Sequence, residues 1–257
     1  MKTNLEDITF LILVRLDSIT RLENIIVVTN QLCKYFNTNV LVRCADRYNN
    51  GFLKGLLNKK INYEFIEDKD PVLYKTMHFN QMAQKVNTTY IALWDTDIIV
   101  DVKAVMDCME NLRKDTADIA YPYNGICYDI PDIIKTIFFK KKDIRFLFKH
   151  KNKMDKLYPH LLVGGAVLMN KLKYCKAGME NEQHYGWGND DFDRYYRFLG
   201  LGYKIHKVNT PLFHLSHSRN NNSHFRSVIA NKISFAAMKK IENSSAQELQ
   251  NNCNNNV

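Results

Sequence analysis

The chain has 257 residues, of which 46% are hydrophobic and 25% are charged, and its formal net charge is +9. This composition supplies the core of one large domain and argues against a disordered chain. No apolar stretch reaches the roughly 18–20 residues of a membrane-spanning helix, and the apolar run over 8–14 is too short for a secretory signal. We therefore expect a cytoplasmic protein. Its six cysteines lack metal-binding spacing and are expected to be free thiols.

Apolar runs alternate with segments of helical periodicity in the first half of the chain. Strands are predicted over residues 8–15, 39–44, 62–66, 89–95 and 118–121. Helices are predicted over residues 18–36, 74–86 and 102–113. This alternation predicts an α/β fold with a mainly parallel central sheet and helices on both faces. The glycine-rich motifs of dinucleotide-binding and Walker-type phosphate sites are absent from the sequence.

The second half of the chain has a less regular pattern. Strands are predicted over residues 161–169 and 203–208, and helices over 190–199 and 224–241. Residues 243–257 are rich in Asn, and we expect this tail to be disordered.

Most of the excess positive charge lies in residues 139–156, which contain eight Lys or Arg and two Asp. The remainder of the chain is nearly balanced, which argues against a general nucleic-acid binder. The wider segment 133–156 interleaves basic and apolar residues, and this favours an exposed amphipathic helix and loop. The alternatives are a peripheral membrane contact or a docking surface for an anionic acceptor.

Two carboxylates, Asp95 and Asp97, follow the buried strand predicted at 89–95. Ligands of open α/β sheets bind outside the carboxyl ends of the strands. An Asp-x-Asp at such an edge suits a hard divalent cation that also contacts a phosphate. A solvated strand end is the alternative interpretation of this pair taken by itself.

A glycine and aromatic turn precedes three acids at the start of the helix predicted over 190–199. Asp190 and Asp191 fall in its first turn, where the helix dipole alone would favour carboxylates. However, the preceding Gly-Trp-Gly is unusual for a simple cap, because glycine lets the backbone approach a ligand and Trp187 offers a flat face to a sugar ring. A carboxylate beside such a platform is a candidate general base.

Two further clusters contain potential ligand side chains. His214 and His217 are three residues apart, and together with a carboxylate they suit Mn²⁺ or a similar metal. Arg15, Asp17 and Arg21 follow the first strand and are either phosphate contacts or an ordinary surface ion-pair group.

Five motifs together resemble the pattern of inverting GT-A glycosyltransferases, over roughly Phe10 to Arg219. The resemblance is greatest to the β-1,4-galactosyltransferase family and to bacterial chondroitin-polymerase-type domains. The motifs are Arg15-x-Asp17, Asp95-Thr96-Asp97, Gly164-Gly165, Gly186-Trp187-Gly188-Asn189-Asp190-Asp191 and His214-x-x-His217-Ser218-Arg219. This resemblance implies a single GT-A domain over 1–242, with a nucleotide-binding half at 1–100 and an acceptor-binding half at 101–242.

The resemblance also implies a role for each motif residue. Asp191 corresponds to the catalytic base of the family. The implied metal ligands, for Mn²⁺ or another divalent cation, are Asp97, His214 and His217. The implied contacts to a UDP-sugar donor are Arg15, Asp17, Arg21, Asp46, Asn80 and Asp95. The implied acceptor contacts are Gly164, Gly165, Tyr185, Trp187 and Asp190.

The sequence departs from the family at two places near these motifs. Phe192 stands where the galactosyltransferases have another Asp, and Leu162-Val163 stands where they have aromatic residues. The smaller Leu162 leaves room for an N-acetyl group, so either a hexose or an N-acetylhexosamine is expected as the transferred sugar.

The expected function is metal-dependent, inverting transfer from a UDP-sugar to a hydroxyl of a glycan acceptor. The bacterial relatives suggest a role in surface polysaccharide or capsule synthesis, with the acceptor on a lipid carrier. Two alternatives are a metal-dependent nucleotidyltransferase, which would release pyrophosphate, and a non-catalytic module that binds nucleotide-sugars.

Overall fold

A computed structural model describes residues 2–49, 51–218, 225 and 227–254. The strands are β1 (Thr3–Val14), β2 (Phe36–Asp46), β3 (Asn62–Glu67), β4 (Tyr90–Trp94), β5 (Ile98–Ile99), β6 (Ile119–Tyr121), β7 (Cys127–Ile130), β8 (Asp155–Lys156), β9 (Ala166–Asn170), β10 (Ile205–Lys207) and β11 (Leu212–Leu215). The helices are α1 (Ile19–Tyr35), α2 (Phe52–Leu56), α3 (Lys75–Lys85), α4 (Val102–Arg113), α5 (Asp132–Lys141), α6 (Ile144–His150), α7 (Lys171–Lys176), α8 (Asp190–Gly200), α9 (Val228–Asn243) and α10 (Ala246–Asn254).

A seven-stranded sheet with the order β10-β6-β9-β4-β1-β2-β3 forms the centre of the molecule. Its pairings are parallel except at β9, which runs antiparallel to β4 and β6. All five residues of β4 and the last seven of β1 are buried, as expected for strands covered on both faces. The prediction of a mainly parallel α/β sheet is confirmed.

A second sheet, which the sequence pattern did not predict, has four short strands in the order β5-β11-β7-β8. β11 pairs antiparallel with β5 and parallel with β7. Because β5 begins directly after Asp97, this sheet lies next to the end of β4. It therefore brings residues after position 210 beside the Asp-x-Asp.

The predicted helices and strands of the first half are present, with shifted ends at most of them. α1 is capped by Ser18, whose hydroxyl accepts a hydrogen bond from the Arg21 amide. In the second half, the strand predicted over 161–169 is regular only from Ala166 to Asn170, because the preceding Gly165 has a φ of +82°, which is outside the strand region.

The tail predicted to be disordered instead contains α10, so that prediction was wrong for residues 246–254. Leu249 and Cys253, four residues apart, are both buried. The Leu249 side chain packs against Gly200 at the end of α8, and Cys253 lies beside Gly178. Two apolar anchors at helical spacing therefore attach an Asn-rich segment to the domain, while residues 255–257 lie outside the described residues.

The basic segment folds as α5, α6, a short 3₁₀ turn at Lys151–Lys153 and β8. Phe138 and Leu147 are buried, whereas all eight Lys and Arg side chains of residues 139–156 are exposed. The interpretation as an exposed amphipathic segment is confirmed. Among the described helices, none combines the length and the apolar character needed to cross a bilayer.

Candidate active site

A cleft of about 390 Å³ opens at the carboxyl end of β4. It is lined by the Asp-x-Asp loop, the start of α3, most of residues 157–165 and the turn into α8. His214 and His217, which lie next to the Asp-x-Asp, complete the lining. This is the edge at which open α/β sheets bind ligands. The sequence motifs at 95–97, 164–165, 187–191 and 214–217 therefore meet in one cavity.

Asp97, His214 and His217 form one cluster in this cleft, with ligand atoms that all lie within 4.8 Å of one another. His217 Nε2 is 3.1 Å from Asp97 Oδ2, and His214 Nε2 is 3.9 Å from Asp97 Oδ1. The pairing of β5 with β11 causes this convergence, because the Leu215 amide donates to the Asp97 carbonyl at 2.7 Å. One carboxylate and two imidazoles fit Mn²⁺ or a similar divalent cation.

The contact between Asp97 and the two histidines shifts the pKa values of Asp97 and His217. Burial raises the pKa of Asp97, but His214 and a hydrogen bond from His217 outweigh that effect and hold it well below its ordinary value. Burial also disfavours protonation of His217, yet its bond to Asp97 raises its pKa overall. Asp97 is therefore held ionised, which is the form that binds a cation.

Asp129 is a member of the site that the sequence analysis did not identify. It lies on β7 opposite His214 on β11, and its Oδ1 is 2.7 Å from His214 Nδ1. A metal-binding histidine is usually oriented in this way by a carboxylate on its other ring nitrogen. No sequence signal reveals this pair, because it depends on the register of two strands that lie more than eighty residues apart.

Lys75, at the start of α3, is the second residue that sequence analysis missed. Its Nζ is 3.3 Å from Asp190 Oδ2, 3.6 Å from Asp191 Oδ2 and 3.8 Å from Asp95 Oδ1. Burial opposes its charge, but the three carboxylates raise the pKa of Lys75 well above its ordinary value. Burial, together with the nearby Asp97 and Asp191, raises the pKa of Asp95 to about 6 despite this lysine.

Asp191 and Gly164 approach each other closely at the floor of the cleft. A β-carbon added to Gly164 would lie 2.0 Å from Asp191 Oδ2, so no larger residue fits there without displacing the carboxylate. Gly165 adopts a φ of +82°, and its carbonyl accepts a hydrogen bond from the Asp95 amide at 2.8 Å. The glycine pair therefore brings the backbone beneath two of the carboxylates.

Trp187 lines the same cleft and makes an edge-to-face contact with Phe225, with ring centroids 5.2 Å apart. Gly188 has a φ of +111°, and a β-carbon there would lie 2.3 Å from the Phe225 ring. Tyr185 is outside the described lining of the cleft. It packs against Tyr74 at 5.1 Å.

The predicted donor contacts fall into two groups. Asp95 and Arg21 line the cleft, and Arg21 Nε is 2.9 Å from Asp17 Oδ1. The other four, including Asp17, are absent from its described lining. Arg15 instead donates to the Ala45 and Asp70 carbonyls and pairs with Asp68 at 2.6 Å.

Asp46 and Asn80 are two of the four predicted donor contacts absent from the described lining of the main cleft. The Asp46 carboxylate accepts a hydrogen bond from the Arg47 amide. Asn80 donates to the Glu180 carbonyl and to Glu182, and it lines a separate cavity of about 560 Å³. The donor roles of these residues remain predictions, and Arg219 of the last motif lies outside the described residues.

No family model matches the sequence, and no curated protein matches it. Solved structures do match. The crystal structure of GalNAc-T7 with UDP, GalNAc and Mn²⁺ has a TM-score of 0.59 at 13% identity, covering 90% of this chain. This chain spans about half, 47%, of the GalNAc-T7 chain.

The catalytic domain of Drosophila β1,4-galactosyltransferase 7, in complex with xylobiose, has a TM-score of 0.51 at 14% identity. That match covers 95% of this chain and 84% of the other. At these identities the similarity concerns the fold. The chain adopts the GT-A fold, as its motifs predicted.

Proposed function

We propose that the chain is a metal-dependent, inverting glycosyltransferase. It moves a hexose or N-acetylhexosamine from a UDP-sugar to a hydroxyl of a glycan acceptor. The observation that supports this most directly is the single cleft that contains both the Asp97–His214–His217 cluster and the Asp191 carboxylate. The similar structures support the part of the proposal that concerns a metal, a UDP-sugar and a glycan, because one contains UDP, GalNAc and Mn²⁺ and the other a xylobiose.

The metal-side residues prepare the departure of UDP in this proposal. Asp97, His214 and His217 hold the cation, which when bound supplies Lewis-acid stabilisation of the diphosphate. Arg21, which is paired with Asp17, lines the same cleft and offers a guanidinium to the diphosphate. Lys75 contacts both Asp95, two residues before the metal ligand Asp97, and Asp191, and we place the donor sugar beside this lysine.

Asp191 is the proposed general base. Burial opposes its ionisation, but Lys75 and Arg194 lower its pKa, so the carboxylate is held ionised, which is the form that can accept a proton. The acceptor oxygen forms a bond to the anomeric carbon as the bond from that carbon to the diphosphate breaks. The hydroxyl proton passes to Asp191, and attack from the face opposite UDP inverts the configuration.

The acceptor-side residues position the incoming sugar. The Trp187 ring faces the cleft and offers a stacking surface. Gly164, Gly165 and Asp190 are also in the lining. The division into a nucleotide-binding half and an acceptor-binding half, and the acceptor role of Tyr185, belong to the same proposal.

The exposed basic segment at 139–156 provides a surface for an acceptor on a lipid carrier or for the headgroups of an anionic membrane. It runs directly into residues 157–165, most of which line the cleft. Ile133 on α5 is 77% exposed and adds an apolar contact to the basic surface. A cytoplasmic, membrane-peripheral location and a role in bacterial surface polysaccharide synthesis complete the proposal, and they rest on the resemblance to chondroitin-polymerase-type domains.

The deciding experiment measures UDP release from a panel of UDP-sugars, with Mn²⁺ or with chelator, and identifies the glycosylated product. Mn²⁺-dependent UDP release with an inverted anomeric linkage is the expected result. Release of pyrophosphate would instead identify a nucleotidyltransferase. UDP-sugar binding without turnover on any acceptor would identify a binding module.

Membrane contact is tested separately by co-sedimentation with vesicles that contain about 30% anionic lipid. Reversal of the charge at Lys140, Lys141 and Lys142 is expected to abolish sedimentation, because these exposed side chains supply the electrostatic attraction. Reversal at Lys59 and Lys60, an exposed pair outside the segment, is the matched control. Equal binding by both variants would contradict a role for the basic segment.

A further inference from the structure

Arg194 is a fully buried cation directly behind Asp191. It lies one turn into α8, and only 1% of its side chain is exposed. Its Nη2 donates to Asp191 Oδ1 at 2.6 Å, and its Nη1 donates to Glu180 Oε2 at 2.8 Å. Arg194 is not among the described residues that line the cleft, so it acts on the site through its neighbours.

Burying a guanidinium is costly unless it is paired and hydrogen-bonded. Here two carboxylates compensate one cation, and Glu180 is itself only 1% exposed on its side chain. Glu180 does not line the cleft, so its carboxylate is available to fix Arg194 from the protein side. The arrangement is a chain of two ion pairs that ends on the proposed base.

The chain of contacts also ties the base to the adjacent backbone of residues 163–164. The second interaction of Arg194 Nη2 is with the Val163 carbonyl at 3.4 Å, and the next carbonyl, of Gly164, accepts the Tyr123 hydroxyl at 2.5 Å. Arg194 thus connects α8 to the backbone beneath Asp191 Oδ2. Because the guanidinium binds Asp191 Oδ1, the other oxygen, Oδ2, faces Lys75 and the cleft.

We propose that Arg194 is a positioning residue for glycosyl transfer, which holds Asp191 so that Oδ2 faces the acceptor hydroxyl, and that Glu180 holds Arg194 in place. This inference rests on the proposed role of Asp191 as the base. It predicts that a change at Arg194 lowers kcat while leaving the binding of UDP and metal intact.

The test is Arg194→Lys, which keeps the positive charge but loses the planar fork that engages both carboxylates. We expect kcat to fall by about 10- to 100-fold, because a misplacement of about 1 Å at a reacting group has effects of this order. The KM for the donor and the Kd for UDP in the presence of Mn²⁺ should stay within about twofold.

Arg197→Lys is the matched control. Arg197 is three residues further along α8 and also buried, and its described partners are Asp193 and the carbonyls of Ala177 and Met179. The same chemical change there should leave kcat within about twofold of the unsubstituted protein. An equal fall in kcat for both variants would assign Arg194 a general structural role and overturn the proposal.

A double-mutant cycle with Asp191→Asn separates this inference from the function on which it rests. If Asp191→Asn leaves the rate unchanged, the base assignment fails and the inference fails with it. If that variant is slow, adding Arg194→Lys to it should cause no further loss, because residues that act as a unit are non-additive. A further loss equal to that in the parent protein would overturn the positioning role alone.

Glu180→Gln provides a second variant should Arg194→Lys fold poorly. It keeps a hydrogen-bond acceptor for the guanidinium but removes the charge that fixes it. We expect kcat to fall by a few-fold to about tenfold, and we expect no such fall when Glu180→Gln is combined with Asp191→Asn. No change in kcat for a folded Glu180→Gln protein would contradict the role given to Glu180.

Discussion

The two ends of the cleft are built by different means. The metal end is placed by backbone pairing, because the ladder between β5 and β11 brings His214 and His217 to Asp97. The end that contains Asp191 is placed by buried charges and by a glycine that permits close approach. The difference teaches that substitutions at the two ends should affect different steps: cation binding at one end and the rate of transfer at the other.

The largest expected effect is at Asp191, and it tests this separation directly. Asp191→Asn should lower kcat by about 10²–10⁴-fold, because the amide cannot accept the acceptor proton. The affinity for Mn²⁺ and UDP, measured by calorimetry, should be retained. Asp97→Asn should instead lose most of the Mn²⁺ affinity. A loss of Mn²⁺ binding in Asp191→Asn would contradict the separation of the two ends.

Gly164→Ala is expected to have the next largest effect. The new methyl group would lie 2.0 Å from Asp191 Oδ2, so the carboxylate must move, and kcat should fall by about 10²-fold. Gly55→Ala is the matched control, because a β-carbon at that position in α2 meets no atom within 4 Å. Similar steady-state kinetics for both variants would show that Asp191 tolerates displacement.

Asp129→Asn should have a smaller effect, confined to the metal end. Weakening the contact to His214 Nδ1 should reduce Mn²⁺ affinity by about tenfold, while kcat at saturating Mn²⁺ changes little. Asp155→Asn is the control, since Asp155 is paired with Asp129 on the neighbouring strand and is exposed. The measurement is a Mn²⁺ titration followed by electron paramagnetic resonance. Equal affinities for the two variants would exclude the orienting role.

The smallest expected effect concerns Asp193 on α8 and how the free energy of unfolding depends on acidic pH. Burial raises the pKa of Asp193, but a hydrogen bond from His184 and the charge of Arg197 outweigh this and lower it. Its stabilising contribution is therefore present above the unfolded pKa of about 3.9 and is lost as pH falls through the lower folded pKa. Each unit of that shift corresponds to about 1.4 kcal/mol.

Urea unfolding between pH 3 and 6 measures this contribution. The free energy of unfolding of Asp193→Asn should depend less steeply on pH below about 4 than that of the unsubstituted protein. Parallel curves would show that Asp193 makes no pH-dependent contribution.

The sequence predicted the members of the cleft that belong to short motifs. Asp97, Asp191, His214 and Gly164 are recognisable because their chemistry is encoded within a few neighbouring residues. Alternation of apolar runs was likewise enough to predict the central sheet and most of its helices. Both the motifs and the alternation of apolar runs can be recognised from residues close together in the sequence.

Residues whose roles depend on distant partners were missed. Asp129, Lys75 and Arg194 each look like ordinary charged residues, and their importance follows from strand register or helix placement. The prediction of a disordered tail was wrong for a related reason. It rested on the high Asn content, whereas the helix is held by two buried side chains, Leu249 and Cys253. Arg15, which belongs to one of the motifs, and Asn80, which does not, contact other parts of the protein here, and their donor roles remain predictions.

The two-residue strand β5 also limits how this protein can change in length during evolution. Asp97 binds the Leu215 amide through its carbonyl, and Ile98 immediately pairs with His214. An inserted or deleted residue between positions 97 and 98 would reverse the faces of the short strand and separate the carboxylate from both imidazoles. We therefore expect homologous chains to vary in length at exposed loops while keeping the interval from Asp97 to β5 fixed.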